Sequence, residues 1–402
     1  MKNNAPDYIL PTYRRSPLAF VSGEGAWLTA SDGTRYLDFS SGIAVNTLGH
    51  AAPELVAALT AQAQKLWHVS NLYQIPEQQE LAALLCAHSF ADLVFFCNSG
   101  AEAVEGTIKT MRKYHAAMGA PKRKTIIGFA GAFHGRTLTA LAAAGNADKL
   151  ADFGPVPQGF VQCAQFDIAA LEKLIDDTTA GILLEPVQGE GGVRDVGTAF
   201  LRAVRALCDK HDILLALDEV QCGIGRTGKL FAHEWAGITP DIMAIAKGIG
   251  GGFPLGAFLT TRKIGAVMQA GTHGSTFGGN PLACAVGLAV MQIVLGDGFL
   301  QNVQNQALYL RQKLAELVDS DPDIFTNISG RGLMIGLHCQ PPNADVVAAL
   351  RDVQLLTVRA ANNVLRLLPP LNVTHTDIDT AIDKLKTACV SLQTPNKGVR
   401  HE

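Results

Sequence analysis

No stretch of this sequence is apolar for long enough to cross a membrane: the longest, residues 282–295, is broken by Gln292 and falls short of the ~20 residues a span needs. Residues 1–13 hold Asn, Pro and Asp but no apolar core, so neither a secretory leader nor an anchor is expected there. Basic residues form no stripe and the formal net charge is −3, which leaves nucleic acid or an anionic membrane without an electrostatic footing. No cysteine pair has C-x-x-C spacing and no histidine stands near one at zinc spacing. Cys86, Cys97, Cys163, Cys208, Cys222, Cys284, Cys339 and Cys389 therefore read as reduced core thiols of a cytoplasmic protein with no metal site. Internal repeats and low-complexity segments are also lacking. Charge is sparse at 17%, whereas 48% of residues are hydrophobic, enough for a large core or an oligomer interface. The expected partners are small molecules.

At 402 residues the chain exceeds what one core usually serves, so a large domain and a smaller one are expected. Short apolar runs at 94–97, 125–129, 182–185, 213–218, 242–246 and 256–260 alternate with helical patterns. That alternation predicts an α/β fold, with a mostly parallel sheet flanked by helices in a large domain over 56–299. Strand-like pieces at 26–28 and 35–39 flank an Asp32-Gly33 turn. A helical pattern over 298–318 and strand-like runs at 333–338, 355–358 and 364–367 follow the large domain. These two ends, 1–55 and 300–402, predict one smaller α+β domain, with a polar tail at 394–402 that reads as frayed. Several strands end in a polar residue followed by glycines, and in such sheets the carboxyl ends open onto a ligand crevice.

Lys247 closes the run 242–246 and precedes Gly248, Gly250, Gly251 and Gly252. A desolvated amine there would have a lowered pKa and act as a Schiff-base nucleophile, although a lysine capping a strand is common. Asp218 changes that balance, because it ends the apolar run 213–217 and a buried carboxylate calls for a cation such as a protonated pyridine nitrogen. The separation of the two fits one strand, one helix and the next strand, so the side chains can meet across neighbouring strand ends. Asn98-Ser99-Gly100-Ala101-Glu102 follows a strand and opens a helix, a phosphate site by its free N–H groups and dipole, or a plain N-cap. Gly274-Ser275-Thr276-Phe277-Gly278-Gly279-Asn280 offers a second hydroxyl pair. After the strand at 125–129, Phe133 could stack on a planar ring and Arg136 could take a carboxylate in bidentate fashion. A core phenylalanine and a surface salt bridge are the plain alternatives. Arg366 alternates with Leu365 and Leu367, and a surface arginine is the plain reading there.

Gly223-Ile224-Gly225-Arg226-Thr227-Gly228 matches the G-x-G-x-x-G dinucleotide pattern, which makes a nicotinamide-dependent oxidoreductase the rival from another class. Its context argues against that: four residues separate the motif from the strand end at Asp218, and residues 229–240 make a poor crossover helix.

Taken together, the strings resemble the class III aminotransferases of the aspartate-aminotransferase fold, and within them the acetylornithine aminotransferases. The likeness runs through Gly42-Ile43-Ala44-Val45-Asn46, Gly49-His50, Asn98 to Ala103, Glu185-Pro186-Val187-Gln188-Gly189-Glu190-Gly191-Gly192, Leu217 to Gln221, Gly225 to Gly228 and Gly274 to Asn280. It implies pyridoxal 5'-phosphate as cofactor, with Lys247 holding it covalently, Asp218 on the pyridinium nitrogen, Phe133 and Val220 on the two ring faces and Gln221 near the phenolic oxygen. Ser99, Gly100 and Ala101 are implied to cradle the phosphate. Thr276 would come from a neighbouring subunit, so a homodimer with shared sites is implied.

The implied reaction moves the δ-amino group of N-acetylornithine to 2-oxoglutarate, in arginine metabolism. By the resemblance Arg136 grips the distal carboxylate, Arg366 receives the α-carboxylate of glutamate, and Glu190 switches by pairing with Arg366 or releasing it. Ser275 counts among the implied substrate contacts. Ornithine aminotransferases usually carry a tyrosine where this chain has Gly42, which leaves room for an acyl group. Ala52, Val104 and Gly106 depart from the family pattern and could shift acyl preference towards succinylornithine or succinyldiaminopimelate; ornithine and 4-aminobutyrate are the other rival donors.

Overall fold

The computed structural model describes residues 8–393, so the tail at 394–402 lies outside the described residues. An antiparallel meander comes first, β1 (Phe20–Glu24), β2 (Trp27–Ala30) and β3 (Arg35–Asp38). The turn between β2 and β3 is closed by Gly33 at φ +85° and by the Asp32 carboxylate, which accepts from Thr34 N–H at 2.9 Å.

Next come β4 (Leu93–Cys97), β5 (Thr125–Phe129), β6 (Phe160–Cys163), β7 (Thr179–Leu184), a small ribbon of β8 (Val187–Gln188) and β9 (Arg194–Asp195), then β10 (Leu214–Asp218), β11 (Ile242–Ile245) and β12 (Gly256–Thr260). Seven of these form the central sheet in the order β4-β12-β11-β10-β7-β5-β6. Only β12 runs antiparallel to its neighbours, so the sheet is mostly parallel, as expected. β7, β10 and β11 are buried along their whole length because helices cover both faces. The period-2 alternation sorts their side chains. Leu214 and Ala216 pack with Ile108 and Met111 of helix Gly100–Ala117, whereas Leu215 and Leu217 pack with Val204 and Leu207 of helix Thr198–His211. Truncating Leu215 to Ala would leave a cavity in the second layer and cost about 2–5 kcal/mol.

The C-terminal part adds β13 (Phe325–Arg331), β14 (Met334–Cys339), β15 (Leu355–Leu356), β16 (Val358–Ala360) and β17 (Val364–Leu367). β13-β14-β17-β16 make an antiparallel sheet, while β15 pairs in parallel with β3 and so joins the two ends of the chain. Helices Phe299–Ser320 and His375–Gln393 cover this part, with Leu310, Leu314, Ile378 and Leu385 in one core with Leu337 and Leu365.

Three details differ from expectation. The edge strand β6 was not legible, since Phe-Val-Gln-Cys is short and only partly buried. The run at 355–358 is two strands, because the chain changes sheets at Thr357. Between β10 and β11 the expected helix is a loop with one 3-10 turn, Ala232–Ala236. There the buried Glu219 carboxylate accepts the N–H groups of Ala232 and His233 at 2.5 and 2.9 Å, which ties the loop down without helical bonding. No single helix among the described residues is long and apolar enough to cross a membrane, and the apolar run noted above is the largely buried helix Pro281–Val294.

Candidate active site

β10 and β11 lie side by side in parallel, with Asp218 opposite Ala244, so Asp218 and Lys247 emerge at the same sheet edge. Both line a cavity of about 450 Å³ whose other walls include Asn98, Ser99, Gly100, Ala101, Phe133, His134, Arg136, Glu185, Val220 and Gln221.

Lys247 leaves the strand with φ +48°, a left-handed conformation that a side-chain-bearing residue adopts at a cost of about 1–3 kcal/mol. The surroundings enforce it: Gly248, Ile249 and Gly250 are buried, and Thr47 Oγ1 donates to the Gly248 carbonyl at 2.8 Å. No hydrogen bond or ion pair among the described residues engages its amine. Burial, and then the positive Arg366, lower the amine's pKa, against the pull of Asp218, Glu190 and Glu185. A larger share of neutral, nucleophilic amine follows.

Asp218 is 3% exposed. One oxygen accepts from Val220 N–H at 3.0 Å, and the other stands 2.7 Å from His134 Nδ1. Burial pulls the His134 pKa down, but the hydrogen bond and charge of Asp218, with help from Glu185, outweigh it and the pKa is raised. The other imidazole nitrogen, Nε2, is buried with no hydrogen-bond partner among the described residues. Glu185, at the exit of β7, accepts from Phe133 N–H at 2.8 Å and Gly189 N–H at 3.3 Å. Burial pushes its carboxyl up to about 7, with His134 pulling the other way.

Helix Gly100–Ala117 starts at the cavity, and its first N–H groups have no carbonyl ahead of them in the helix. Ser99 is its N-cap, with Oγ accepting from Glu102 N–H at 3.3 Å. Gly100 is required by packing, since a Cβ there would stand 2.7 Å from Val220 Cγ1. Phe133 is half-buried on the cavity wall and Arg136 stacks on it, with Cζ 5.5 Å from the ring centre. Arg136 is exposed and has no carboxylate partner among the described residues, so the surface salt bridge considered above is not what forms.

The surface reading of Arg366 is likewise overturned. The residue is 1% exposed, because both faces of β17 are covered. Its Nη1 lies 2.6 Å from Glu190 Oε1 and 2.9 Å from Gln221 Oε1.

Five proposed site residues are not on the cavity lining within one chain: Arg366 and Glu190, which reach it through Gln221, and Thr276, Ser275 and Gly42. Thr276 is exposed and does not line it. Ser275 touches it only from behind, its Oγ accepting from Asn98 Nδ2 at 3.4 Å and Gly278 N–H at 2.9 Å. Gly42 is exposed within a left-handed turn, Ser41–Ala44, held by the Asp38 carboxylate accepting from Ser40 and Ser41 N–H and leading to Val45 on the cavity wall. Ala52, Val104 and Gly106 are buried away from the cavity. A Cβ at Gly106 would come 2.3 Å from Phe258 Cε1, so helix-on-sheet packing accounts for that departure. The Gly223-to-Gly228 segment lines no part of the cavity either.

Sequence reasoning gave no role to His134 or Glu185. Glu185 carried a usable signal, an acid closing an apolar strand, the same one that singled out Asp218. His134 had none, since its partner lies 84 positions away.

A low-pKa amine at one strand end, a carboxylate–imidazole pair at the next, an aromatic wall and a helix N-terminus define a site for an aromatic, phosphorylated carbonyl cofactor, hence an enzyme of amine chemistry. The chain belongs to the class III aminotransferases: the family model "Aminotransferase class-III" matches residues 8–389. It is 58% identical over 381 residues to an acetylornithine aminotransferase of Mesorhizobium japonicum, covering 95% of this chain and 96% of that one. Against the acetylornithine aminotransferase of Rhodobacter capsulatus it is 56% identical over 386 residues, covering 96% and 98%. Among solved structures it is similar to the N-acetylornithine aminotransferase of Stenotrophomonas maltophilia, at 37% identity and TM-score 0.83, covering 94% and 97%. The ornithine aminotransferase of Toxoplasma gondii superposes with TM-score 0.92 at 30% identity, covering 96% and 93%, and one of its structures contains PLP at partial occupancy in the active site.

Class III aminotransferases depend on pyridoxal phosphate, and the residues present fit it. Asp218 is a buried acceptor for a protonated ring nitrogen, Phe133 and Val220 are apolar walls, and the helix start at Gly100 suits a phosphate.

Proposed function

We propose that this enzyme moves the δ-amino group of N-acetylornithine to 2-oxoglutarate, giving N-acetylglutamate semialdehyde and glutamate. Pyridoxal phosphate supplies, when bound, a carbonyl that takes up amines and a protonated ring that accepts the electron pair left by a removed proton. Lys247 would hold the cofactor covalently, and its Nζ, when free, would take a proton from the substrate carbon and give one back. Asp218 keeps the ring nitrogen protonated, and His134 braces that carboxylate from behind. Ser99, Gly100 and Ala101 would receive the phosphate, Phe133 and Val220 would flank the ring, and Gln221 would stand near its phenolic oxygen.

The observation that carries the choice of substrates is the 2.6 Å pair between Glu190 and the buried Arg366, which Gln221 links to the cavity, while Arg136 on the cavity wall has no carboxylate partner among the described residues. Arg136 takes the carboxylate of the acylated donor while Glu190 neutralises Arg366. For 2-oxoglutarate, which carries two carboxylates, Glu190 releases Arg366 and both arginines bind. Gly42, whose place leaves room for the acyl group, and Ser275 complete the substrate contacts.

The assembly proposed is a homodimer. Leu72, Tyr73, Trp67 and Phe277 are 60–87% exposed, and Asn71 Nδ2 ties their two segments together by donating to the Ser275 and Gly278 carbonyls. An apolar face of that size beside Thr276 suits a second copy whose site takes up Thr276. The proposed domains are 56–299, and 1–55 with 300–402, supported by the β3–β15 pairing. A cytoplasmic setting is proposed from eight free cysteines.

The test is a donor profile of the purified holoenzyme with 2-oxoglutarate as acceptor, watching the cofactor absorbance bleach as each amine is added. N-acetylornithine should give the highest specificity constant. Faster turnover of succinylornithine, succinyldiaminopimelate, free ornithine or 4-aminobutyrate would replace this reading.

A further inference from the structure

The motif Gly223-Ile224-Gly225-Arg226-Thr227-Gly228 is left without a ligand by the site described above. Its arginine is 2% exposed, and no carboxylate pairs with it among the described residues. Burial lowers its pKa to about 9. What holds it is a pair of carbonyls: Nη1 donates to Leu333 O at 3.1 Å and to Pro369 O at 2.5 Å. The backbone answers in the other direction, Leu333 N–H donating to the Arg226 carbonyl at 3.0 Å. The two chain segments approach so closely that a Cβ on Gly332, at φ +59°, would stand 2.5 Å from Thr227 C and 2.7 Å from Arg226 O.

Two halves of the active site meet at this joint. Asp218, Val220 and Gln221 lie on the loop that leads to Arg226. Pro369 lies three residues beyond Arg366, where the chain leaves β17. Arg366 is therefore tied to the Asp218 loop in two ways. One tie runs through Glu190 and Gln221 and must loosen when a substrate carboxylate arrives. The other runs through Arg226, whose Nη1 is held by main-chain carbonyls outside the cavity lining.

We propose that Arg226 is a positioning residue for the amino acceptor, holding the Pro369 and Leu333 carbonyls so that Arg366 stays aimed at the cavity once Glu190 lets go. The inference rests on the reading above in which Arg366 receives the acceptor's carboxylate. A planar guanidinium suits two carbonyls on separate segments, whereas the ammonium of a lysine, on a flexible stem, fixes their spacing less well. The donor half-reaction should be indifferent to this, because there Glu190 keeps Arg366 in place.

The experiment is Arg226→Lys holoenzyme, with the two half-reactions followed separately by cofactor absorbance and Arg366→Lys measured alongside. We expect the specificity constant for 2-oxoglutarate to fall roughly 10- to 100-fold, mainly through KM, and that for N-acetylornithine to change less than about threefold, with the resting spectrum unaltered. Arg366→Lys should show the same selectivity for the acceptor half. Equal losses in both halves, or none, in Arg226→Lys overturn the positioning role while leaving the aminotransferase reading intact. Loss of acceptor selectivity in Arg366→Lys overturns both. Should Arg226→Lys fail to fold, Gly332→Ala presses on the same joint without removing the guanidinium, and a loss there that is not acceptor-selective overturns the proposal.

Discussion

Asp218 and Lys247 stand at the ends of buried strands and are fixed by partners from their own chain, whereas Arg136, Thr276 and Gly42 stand on exposed loops. At the cavity floor, His134, Val220 and Thr47 contribute hydrogen bonds that pin the carboxylate and the strained turn at Lys247. At the rim, Arg136 has, among the described residues, only the face of Phe133, and Thr276 lies beside an exposed apolar surface. One chain thus builds the floor outright, whereas under the proposed dimer the recognition of substrate is left to a second chain and to moving side chains. Floor substitutions should change rates for every substrate alike. Rim and gate substitutions should change which substrate is preferred.

The sharpest break of that comparison is Lys247→Ala, which removes both the proposed covalent anchor and the proposed proton carrier. Turnover with N-acetylornithine should fall about 10⁴-fold or more, with the loss in kcat, and the cofactor should no longer form a borohydride-reducible link to the protein. A variant keeping more than about a tenth of the wild-type rate would remove Lys247 from the mechanism, since general acid–base catalysis alone is worth 10²–10⁴. Next in size is Asp218→Asn, which keeps the shape and deletes the charge that faces His134. A loss of roughly 10²–10³ in kcat is expected for every donor and acceptor alike, because the negative charge acts on the reacting ring and not on any one substrate. Donor-dependent losses would mean that Asp218 belongs to recognition.

The same division explains what could be read from sequence. The central sheet was legible because β7, β10 and β11 are continuous apolar runs, and the floor because an acid closes one of them and a lysine follows another just before glycines. Arg366 was placed on its strand correctly but its burial was not, since alternation with leucines cannot tell a strand covered on one face from one covered on both. His134 and the Glu219 clamp that replaces the expected crossover helix depend on pairings that no local pattern carries. Thr276 and Gly42 could be assigned to the site only by family likeness, because a single chain does not bring them to the cavity.

The gate is sharpened by Glu190→Gln, which removes the counter-charge of the buried Arg366 while keeping the side chain's length. Preference should move about tenfold from N-acetylornithine towards glutamate as donor, the worth of one charge-assisted hydrogen bond, whereas kcat for glutamate stays near wild type. An equal fall with both donors would deny the switch.

The smallest effect concerns stability, and it tests whether the floor is strained by its own charges. Burial raises the Glu185 carboxyl from 4.5 to about 7, so the folded chain keeps a proton there that the unfolded chain has already lost. Between those two values the native state binds more protons, and the stability this group contributes is full below about pH 4.5 and declines as pH rises through 7. Glu185→Gln has no proton to lose. The cofactor-free variant should therefore match the wild type in acid and gain on it steadily up to about pH 7, by no more than ~3 kcal/mol, before the difference levels off. Urea titrations across that range decide the matter: parallel stability curves for the two proteins would show that Glu185 is ionised in the fold at neutral pH and that His134 alone compensates the floor's negative charge.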